Sequence, residues 1–359
     1  PRSTLFPYTT LFRSIVLHTE LVPQLRDVSK RKPDMESFAR GISRFCMGLA
    51  KKVLLADTLA LAVNYGYERV WYLDTVSVAA TILAYALELY FDFSGYCDMA
   101  VGIGAMFRIV LPENFDSPYK AGSVREFWRR WHMTLTRFFS AYVYYPLGGS
   151  KKGELRADLN MLLVFLLSGF WHGADWTFIL WGAVNGLAVV FNARRARKRR
   201  VGKRLWIELP HGANVLLTFA FFALSLVFFR SDSVFLALHM FKHLCTPAWT
   251  GFIFELSGAM AKELPETYAL IQALTLKAPA ALPYAYLTIF CLWTGVALLL
   301  LRGKNAAQLA ADDMGEGTRI GQSGLRKGRS VKRGALLAFL FAWSVISLSQ
   351  ASTFLYFNF

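Results

Sequence analysis

The chain has 359 residues, of which 55% are hydrophobic and only 18% carry a charge. This composition is typical of a polytopic membrane protein and excludes an ordinary soluble domain. The formal net charge of +16 at pH 7 is concentrated in short loops beside apolar runs, which is the distribution that orients membrane proteins. We therefore expect a lipid bilayer around the protein and no nucleic-acid partner.

The first residues do not resemble natural protein sequence. Residues 4–14, TLFPYTTLFRS, read like the conceptual translation of a sequencing-library adapter. We expect residues 1–14 to be such an artefact, without fold or function. Residues 15–359 are then expected to form one membrane domain that lacks its natural N-terminal part.

The next part of the chain predicts irregular membrane helices. The segment 45–67 is apolar but interrupted by charged residues, which predicts an amphipathic or short membrane helix. Residues 76–93 form a clearer span, although Glu88 and Asp92 lie within it. Residues 111–137 mix prolines and arginines with Phe and Trp, a combination that favours a re-entrant or interfacial helix over a full span.

Three later segments contain no charged residue and predict membrane spans: 212–229, 278–301 and 335–359. The loops 194–204 and 302–333 are strongly basic, which predicts a cytoplasmic location. The loop 231–282 is nearly balanced in charge and is therefore predicted to lie outside.

The most informative stretch is the apolar run 159–192, whose only ionisable residues are His172 and Asp175. About 34 residues at about 1.5 Å each would span roughly 51 Å, which exceeds the bilayer core of about 30 Å. We expect Gly169 and Gly173 to break the run there. An ionisable group at this depth indicates a functional site; the alternative is a histidine that packs at an interhelical turn.

Several long blocks carry a resemblance to one family, and they are 90–108, 112–115, 126–149, 167–187 and the closing 354–359. They resemble the membrane-bound O-acyltransferase (MBOAT) family, in particular its bacterial alginate O-acetylation branch, the AlgI type. The resemblance implies an all-α polytopic protein of the bacterial inner membrane, a helical bundle with broken or re-entrant helices around a central funnel and tunnel.

The resemblance also implies a reaction. It makes His172 the catalytic residue, in a thin floor between an outward funnel and a cytoplasmic tunnel, and His132 a second functional residue. An acetyl group would move from a cytoplasmic thioester, acetyl-CoA or another, toward hydroxyls of a surface polysaccharide. Secreted or membrane-anchored partner proteins would complete the transfer. No bound cofactor and no metal are expected.

The residues themselves suggest further roles. Neutral imidazole is a suitable base near pH 7, and Asp175 could orient His172, with Trp171 beside it. Asp92 and Asp98 either support the site or join helices by hydrogen bonds. Arg129 and Arg130 could hold the phosphates of a CoA donor or contact lipid headgroups.

Two departures from the family pattern leave the acceptor open. Ser140-Ala141 stands where many relatives carry an Arg-Asp pair, and Asp175 stands where Asn or another small polar residue is often found. The four cysteines are isolated and predict core residues, not a metal or disulfide framework. The alternatives are D-alanyl transfer to teichoic acid, and a transporter with a broken-helix substrate site.

Overall fold

The computed structural model describes residues 18–26, 34–200, 209–309 and 323–350, and every regular element in these ranges is helical. The expected adapter segment 1–14 lies outside the described residues, as do 201–208 of the first basic loop, 310–322 of the second and the closing 351–359.

Fourteen α-helices lie within the described ranges. They are α1 (His18–Arg26), α2 (Met35–Ala50), α3 (Thr58–Glu68), α4 (Thr75–Met106), α5 (Val124–Arg130), α6 (Met133–Phe139), α7 (Glu154–His172), α8 (Trp176–Arg200), α9 (His211–Arg230), α10 (Val234–Cys245), α11 (Phe252–Ala261), α12 (Tyr268–Lys277), α13 (Leu282–Arg302) and α14 (Ser323–Ile346). Two π-helical segments (Lys51–Asp57, Ser140–Tyr144) and five 3₁₀ turns (Val70–Tyr72, Pro118–Lys120, Pro265–Thr267, Pro279–Ala281, Ser347–Gln350) complete the described elements.

Four of these helices are long and apolar enough to cross a membrane: Thr75–Met106, Trp176–Arg199, His211–Arg230 and Pro279–Arg302. They include the predicted spans 76–93 and 212–229 and all but the first residue of 278–301, although α4 continues well beyond residue 93. The helix α14 begins at Ser323, earlier than the predicted start at 335, and its described part ends at Ile346. The expected all-α membrane architecture is confirmed.

The predicted helix 45–67 is part of one longer helical element in which α2 and α3 are joined by the π-helical segment Lys51–Asp57. The π geometry allows Lys52 to reach Asp57, five residues on, with their charged atoms 2.6 Å apart. It also places the Leu54 carbonyl where Trp293 of α13 donates to it, at 2.8 Å. A π segment of this kind commonly marks a functional or strained position.

Glycine pairs allow α2 and α4 to pack with their backbones in contact. A Cβ added at Gly48 would lie 2.6 Å from the Gly95 carbonyl oxygen, and one added at Gly41 would lie 2.6 Å from that of Gly102. Both pairs are separated by seven residues on each helix, so the two contacts lie on one face of each helix. Small residues at such crossings are the usual means of close helix packing in membranes.

Buried ion pairs fasten the same helices together. Asp98 of α4 lies 2.9 Å from Arg44 and 2.5 Å from Lys51. Asp92, six residues earlier on α4, lies 2.7 Å from Lys52. Because a buried charge is tolerated only when it is paired, these contacts explain why charged residues interrupt the apolar sequence here.

The segment 111–137 does not form the one helix expected from its sequence. It consists of an irregular segment that includes the 3₁₀ turn Pro118–Lys120, followed by the short helices α5 and α6. The backbone folds back on itself, because the Asp116 amide donates to the Arg130 carbonyl at 2.9 Å and the Met133 amide donates to the Asn114 carbonyl at 3.0 Å. Pro112 and Pro118 lack the amide hydrogen that an uninterrupted helix needs.

The long apolar run 159–192 is broken into α7 and α8, as predicted. The break comes directly after His172, at residues 173–175, so Gly173 lies at the break as expected, whereas Gly169 lies inside α7. The two helices form a tight hairpin, since a Cβ at Gly169 would lie 2.4 Å from the Phe178 carbonyl oxygen and one at Gly182 would lie 2.4 Å from that of Phe165. At the other end of the hairpin, Asp158 of α7 accepts from Arg194 and Arg197 of α8 at 2.6 and 2.5 Å.

Candidate active site

A cavity of about 380 Å³ lies between α4, α5, α6, α7, α8 and α9, and both predicted histidines line it. One face of α7 forms its long wall, from Met161 through Phe165 and Ser168 to His172. Eleven residues of helix extend about 16 Å, so the cavity is elongated along the membrane hairpin. Its lining is mostly aromatic and aliphatic, a surrounding that strengthens electrostatic interactions.

His172 is the last residue of α7, directly before the extended Gly173. Its ring packs at right angles against the indole of Trp181, with centroids 5.5 Å apart, and against the ring of Phe229 at 5.0 Å. Trp171 also touches it, at 4.8 Å. The imidazole is thus held by aromatic edges at the end of the cavity nearest the α7–α8 turn.

His132 occupies the junction between α5 and α6 and is the N-terminal cap residue of α6. Its backbone adopts the left-handed conformation, with φ 45° and ψ 54°, which a residue with a Cβ adopts only at a cost. The ring lies against Phe93 of α4, with centroids 4.8 Å apart, and its Nδ1 lies 3.1 Å from Oδ1 of Asn114. Only 3% of the residue is exposed.

Aromatic rings form the wall between the two histidines. Trp128 and Trp181 meet edge to face with centroids 5.6 Å apart, and Phe127 stacks on Trp131 at 5.5 Å. The indole N–H groups of Trp128 and Trp181 are buried and have no acceptor within the described parts of the chain. They are neutral hydrogen-bond donors of the cavity lining, in addition to the hydroxyl groups of residues such as Ser168 and Thr136.

The predicted donor-binding arginines differ from each other in position. Arg129 lines the cavity, whereas Arg130 does not and pairs with Glu126 one turn earlier, at 2.7 Å. Arg125, which the sequence did not single out, lines the cavity beside Arg129. The pair of arginines that could meet an anionic donor is therefore 125 and 129.

Two predicted supporting residues lie at the outer edge of the site. Asp175 is exposed in the α7–α8 turn, and no hydrogen bond joins its carboxylate to His172 among the described residues. Trp171 touches the His172 ring with 44% of its surface exposed. Asp175 is therefore placed to meet solvent or an incoming molecule, not to orient the imidazole.

Asp92 and Asp98 lie outside the cavity lining. They pair with Lys52, and with Arg44 and Lys51, on the other side of α4. Arg44 also donates to the carboxylate of Glu113 from both of its terminal nitrogens, each at 2.5 Å. The structure therefore places these aspartates in the helix-joining role that the sequence offered as one alternative.

Sequence reasoning missed several residues of the site. Asn114 and Trp181 lie within blocks that carry the family resemblance, but nothing in their local pattern indicates a contact with a histidine. Phe229 lies at the end of an apolar span and looks like ordinary lipid-facing sequence. Within the described ranges there is no group of three or more His, Cys, Asp or Glu residues that could hold a metal ion.

Comparison with known proteins places the chain among membrane acyltransferases. The family model for "MBOAT, membrane-bound O-acyltransferase family" matches residues 6–229. A peptidoglycan O-acetyltransferase of Helicobacter pylori is 44% identical over 228 residues, which cover 64% of this chain and 43% of that protein. A probable alginate O-acetylase AlgI of Pseudomonas putida is 34% identical over 344 residues, 95% of this chain and 64% of that protein.

A more distant similarity reaches the D-alanyl transferases. The teichoic acid D-alanyltransferase of Streptococcus thermophilus is 30% identical over 155 residues, 41% of this chain and 36% of that protein. The chain spans less than two thirds of the length of each of these three relatives.

Proposed function

The chain belongs to the membrane-bound O-acyltransferase family, and from that premise we propose that it transfers an acetyl group from a thioester to a hydroxyl of a glycan. The observation that carries the proposal is the presence of His172 and His132 in one elongated apolar cavity inside the helical bundle. Such a cavity can hold two reactants while it keeps bulk water away from the thioester.

The lining of the cavity offers groups that suit two substrates. Arg125 and Arg129 of α5 line it, and guanidinium groups match the geometry of phosphate. His172 lies at the turn between α7 and α8, next to the exposed Trp171 and Trp176. We assign Arg125 and Arg129 to an anionic thioester such as acetyl-CoA and the turn beside His172 to the acceptor glycan, since exposed aromatic rings provide stacking surfaces for sugars.

The predicted topology agrees with this assignment. The basic segment at the end of α8 is expected in the cytoplasm, where acetyl thioesters are made, and the α7–α8 turn lies at the opposite end of α8. The acetyl group would then cross the membrane through the cavity without transport of the whole donor. In this reading the protein resides in the bacterial inner membrane.

The reaction needs a base that accepts the proton of the hydroxyl and an acid that protonates the leaving thiolate. Neutral His172 accepts the proton of the attacking hydroxyl, whose oxygen forms a bond to the thioester carbonyl carbon. The carbon–sulfur bond then breaks, and the imidazolium returns the proton to the thiolate, so that the products are an ester and a free thiol. General base catalysis of this kind contributes about 10²–10⁴-fold to a rate.

The acceptor is proposed as a glycan outside the cytoplasmic membrane. Two of the relatives are named for alginate and for peptidoglycan, both of which are polysaccharides with free hydroxyls. We propose that secreted or membrane-anchored proteins take part in the final transfer, because a membrane cavity by itself reaches little of a polymer. D-alanyl transfer is the second candidate, which the similarity to the teichoic acid enzyme supports.

The proposal is tested with the full chain in membranes that contain labelled acetyl-CoA and isolated cell-surface glycan. His172→Ala is expected to lower acetyl transfer by at least about 100-fold while the protein stays monodisperse in detergent. His211→Ala, at the exposed start of α9, is the matched control and is expected to retain transfer.

Replacement of acetyl-CoA by a D-alanyl thioester carrier distinguishes the two candidate reactions. Transfer of D-alanine and not of acetate would favour the second candidate. Near-normal acetyl transfer by His172→Ala would overturn the assignment of the base.

A further inference from the structure

The backbone at His132 is held in a conformation that its own sequence does not favour. With φ 45° it is one of three non-glycine residues with positive φ among the described residues, the others being Arg108 and Ser117. Such conformations persist only where surrounding contacts determine them, and they are frequent at functional sites. The contacts that hold the turn at His132 therefore identify residues on which its orientation depends.

Asn114 supplies those contacts. Its backbone carbonyl accepts from the Met133 amide at 3.0 Å. Its side-chain Oδ1 accepts from the Thr134 amide at 3.2 Å and from the Thr134 hydroxyl at 2.9 Å. The Nδ1 of His132 lies 3.1 Å from the same oxygen. One side chain, 6% exposed, thus binds the backbone and the ring of the left-handed turn at once.

The network also determines which ring nitrogen of His132 carries the proton. A backbone amide can only donate, so the atom of Asn114 that faces Thr134 must be the oxygen and not the nitrogen. The Asn114 amide nitrogen points the other way, toward Sγ of Cys97 at 3.4 Å. Because that oxygen can only accept, Nδ1 of His132 must be the donor. A neutral imidazole has a single N–H, and Nε2 is then its acceptor.

Asn114 is itself held from outside the cavity. Arg44 donates hydrogen bonds to the neighbouring Glu113. Arg44 also forms an ion pair with Asp98 of α4, at 2.9 Å. On the other side Phe115 packs at right angles to Phe93 and Trp131, at 4.9 and 5.0 Å. Asn114 does not line the cavity, whereas His132 does. The Nδ1 side of the His132 ring therefore faces the protein behind the cavity wall, where Asn114 lies.

We propose that Asn114 is a positioning residue that holds His132 as the Nδ1–H tautomer, so that His132 acts in acyl transfer through the lone pair of Nε2. This inference rests on the proposed function for its catalytic consequence. It assigns neutral His132 to accepting a proton or a hydrogen bond and excludes it as an Nε2–H donor to the carbonyl oxyanion. Hydrogen-bonded partners of this kind commonly set the tautomer and direction of a working histidine.

The tautomer is measured directly by ¹⁵N magnetic resonance of the full chain labelled at histidine and reconstituted in lipid. The chain has six histidines, and the signals of His132 are assigned by their loss in His132→Gln. In the wild-type protein near pH 8 we expect protonated Nδ1 and unprotonated Nε2. A wild-type spectrum with protonated Nε2 and bare Nδ1 would overturn the proposal whatever the activity.

Three variants test the positioning role. Asn114→Ala removes the acceptor, and we expect loss of the defined Nδ1–H signal together with an about 10–100-fold lower kcat, the range known for partners that orient metal-bound histidines, with KM within about twofold. Asn114→Asp keeps an oxygen toward His132 and Thr134, so Nδ1 is expected to stay protonated and kcat to recover to within about tenfold of wild type. As the control, Thr218→Val changes a buried threonine of α9 that lies outside this network and should leave both readouts unchanged.

The outcomes separate this inference from the proposed function. Equal losses of kcat in Asn114→Ala and Asn114→Asp, with Nδ1 protonated in both, would reduce Asn114 to a structural residue and overturn the positioning role. If Asn114→Ala does not fold, the proposal is decided by the wild-type spectrum and by the kcat of Asn114→Asp, which should lie within about tenfold of the wild-type value. Failure of acetyl transfer in the wild-type protein would contradict the proposed function. The ¹⁵N spectrum would still test the tautomer of His132 independently.

Discussion

The crossing of α7 and α8 at Gly169 is the contact that a single methyl group should disturb most. A Cβ at Gly169 would lie 2.4 Å from the Phe178 carbonyl oxygen, whereas ordinary contact begins at 3.4 Å, so the helices must separate locally by about the difference of 1.0 Å. Backbone cannot rotate away as a flexible side chain does. Overpacking of this kind costs about 1–3 kcal/mol.

A matched glycine isolates that cost. Gly295 of α13 has nothing within 4 Å of an added Cβ, and both substitutions by alanine carry the same gain in helix propensity of about 1 kcal/mol. The free energy of unfolding, measured by denaturant titration in mixed micelles, should therefore be about 1–3 kcal/mol lower for Gly169→Ala than for Gly295→Ala.

The same change should act on catalysis. His172 lies three residues after Gly169 on the same helix, and a displacement of about 1 Å at a reacting group can cost about 100-fold in rate. Acetyl transfer by Gly169→Ala should fall by that order, and transfer by Gly295→Ala should not. Equal stability and equal transfer in the two variants would refute the close crossing as the device that positions His172.

Lys52→Met leaves two buried carboxylates without their shared cation, so the free energy of unfolding should fall by about 3–5 kcal/mol, against less than about 1 kcal/mol for Arg40→Ala in a pair exposed to solvent. Burial acts to raise the pKa of Asp74, but hydrogen bonds from Ser77 and Thr250 outweigh it and hold that pKa below its usual 3.8. The stability from Asp74 is therefore present above pH 3.8 and lost as the pH falls below it, and Asp74→Asn should abolish this part of the acid dependence of unfolding. In intact cells the exposed Cys245 should react with an impermeant thiol reagent, whereas a cysteine introduced by Lys198→Cys should not; the reverse labelling would contradict the predicted orientation.

Much of the fold could be predicted from local chemistry. A membrane helix must be apolar over about 20 residues, so the spans that became α4, α9 and α13 are visible in the sequence. The break after His172 is visible for a related reason, since the run is too long for one crossing and contains glycines at Gly169 and Gly173. Those arguments need no knowledge of which helix packs on which.

The same distinction applies to the residues of the site: some could be identified from the sequence, and the roles of others depend on contacts between helices. His172 stands out in the sequence because an ionisable group in an apolar run costs free energy unless it has a purpose or a partner. The choice between catalytic and helix-joining roles for Asp92 and Asp98 could not be made there, because it depends on Lys52, Arg44 and Lys51 of another helix. Whether Asp175 could orient His172 also depended on the geometry of the turn, and in the structure Asp175 is exposed there and makes no hydrogen bond to the ring.

The sequence by itself therefore determined the membrane class, the main spans, the presence of a break near residues 169–175 and the family, because hydrophobicity, chain length and long motifs act locally along the chain. Only the tertiary structure decided that His132 shares a cavity with His172, that Arg125 and not Arg130 lines it, and that Asn114 binds the His132 ring. Those contacts join residues from separate helices, and their distances follow from how close the glycine crossings and buried ion pairs allow the helices to approach.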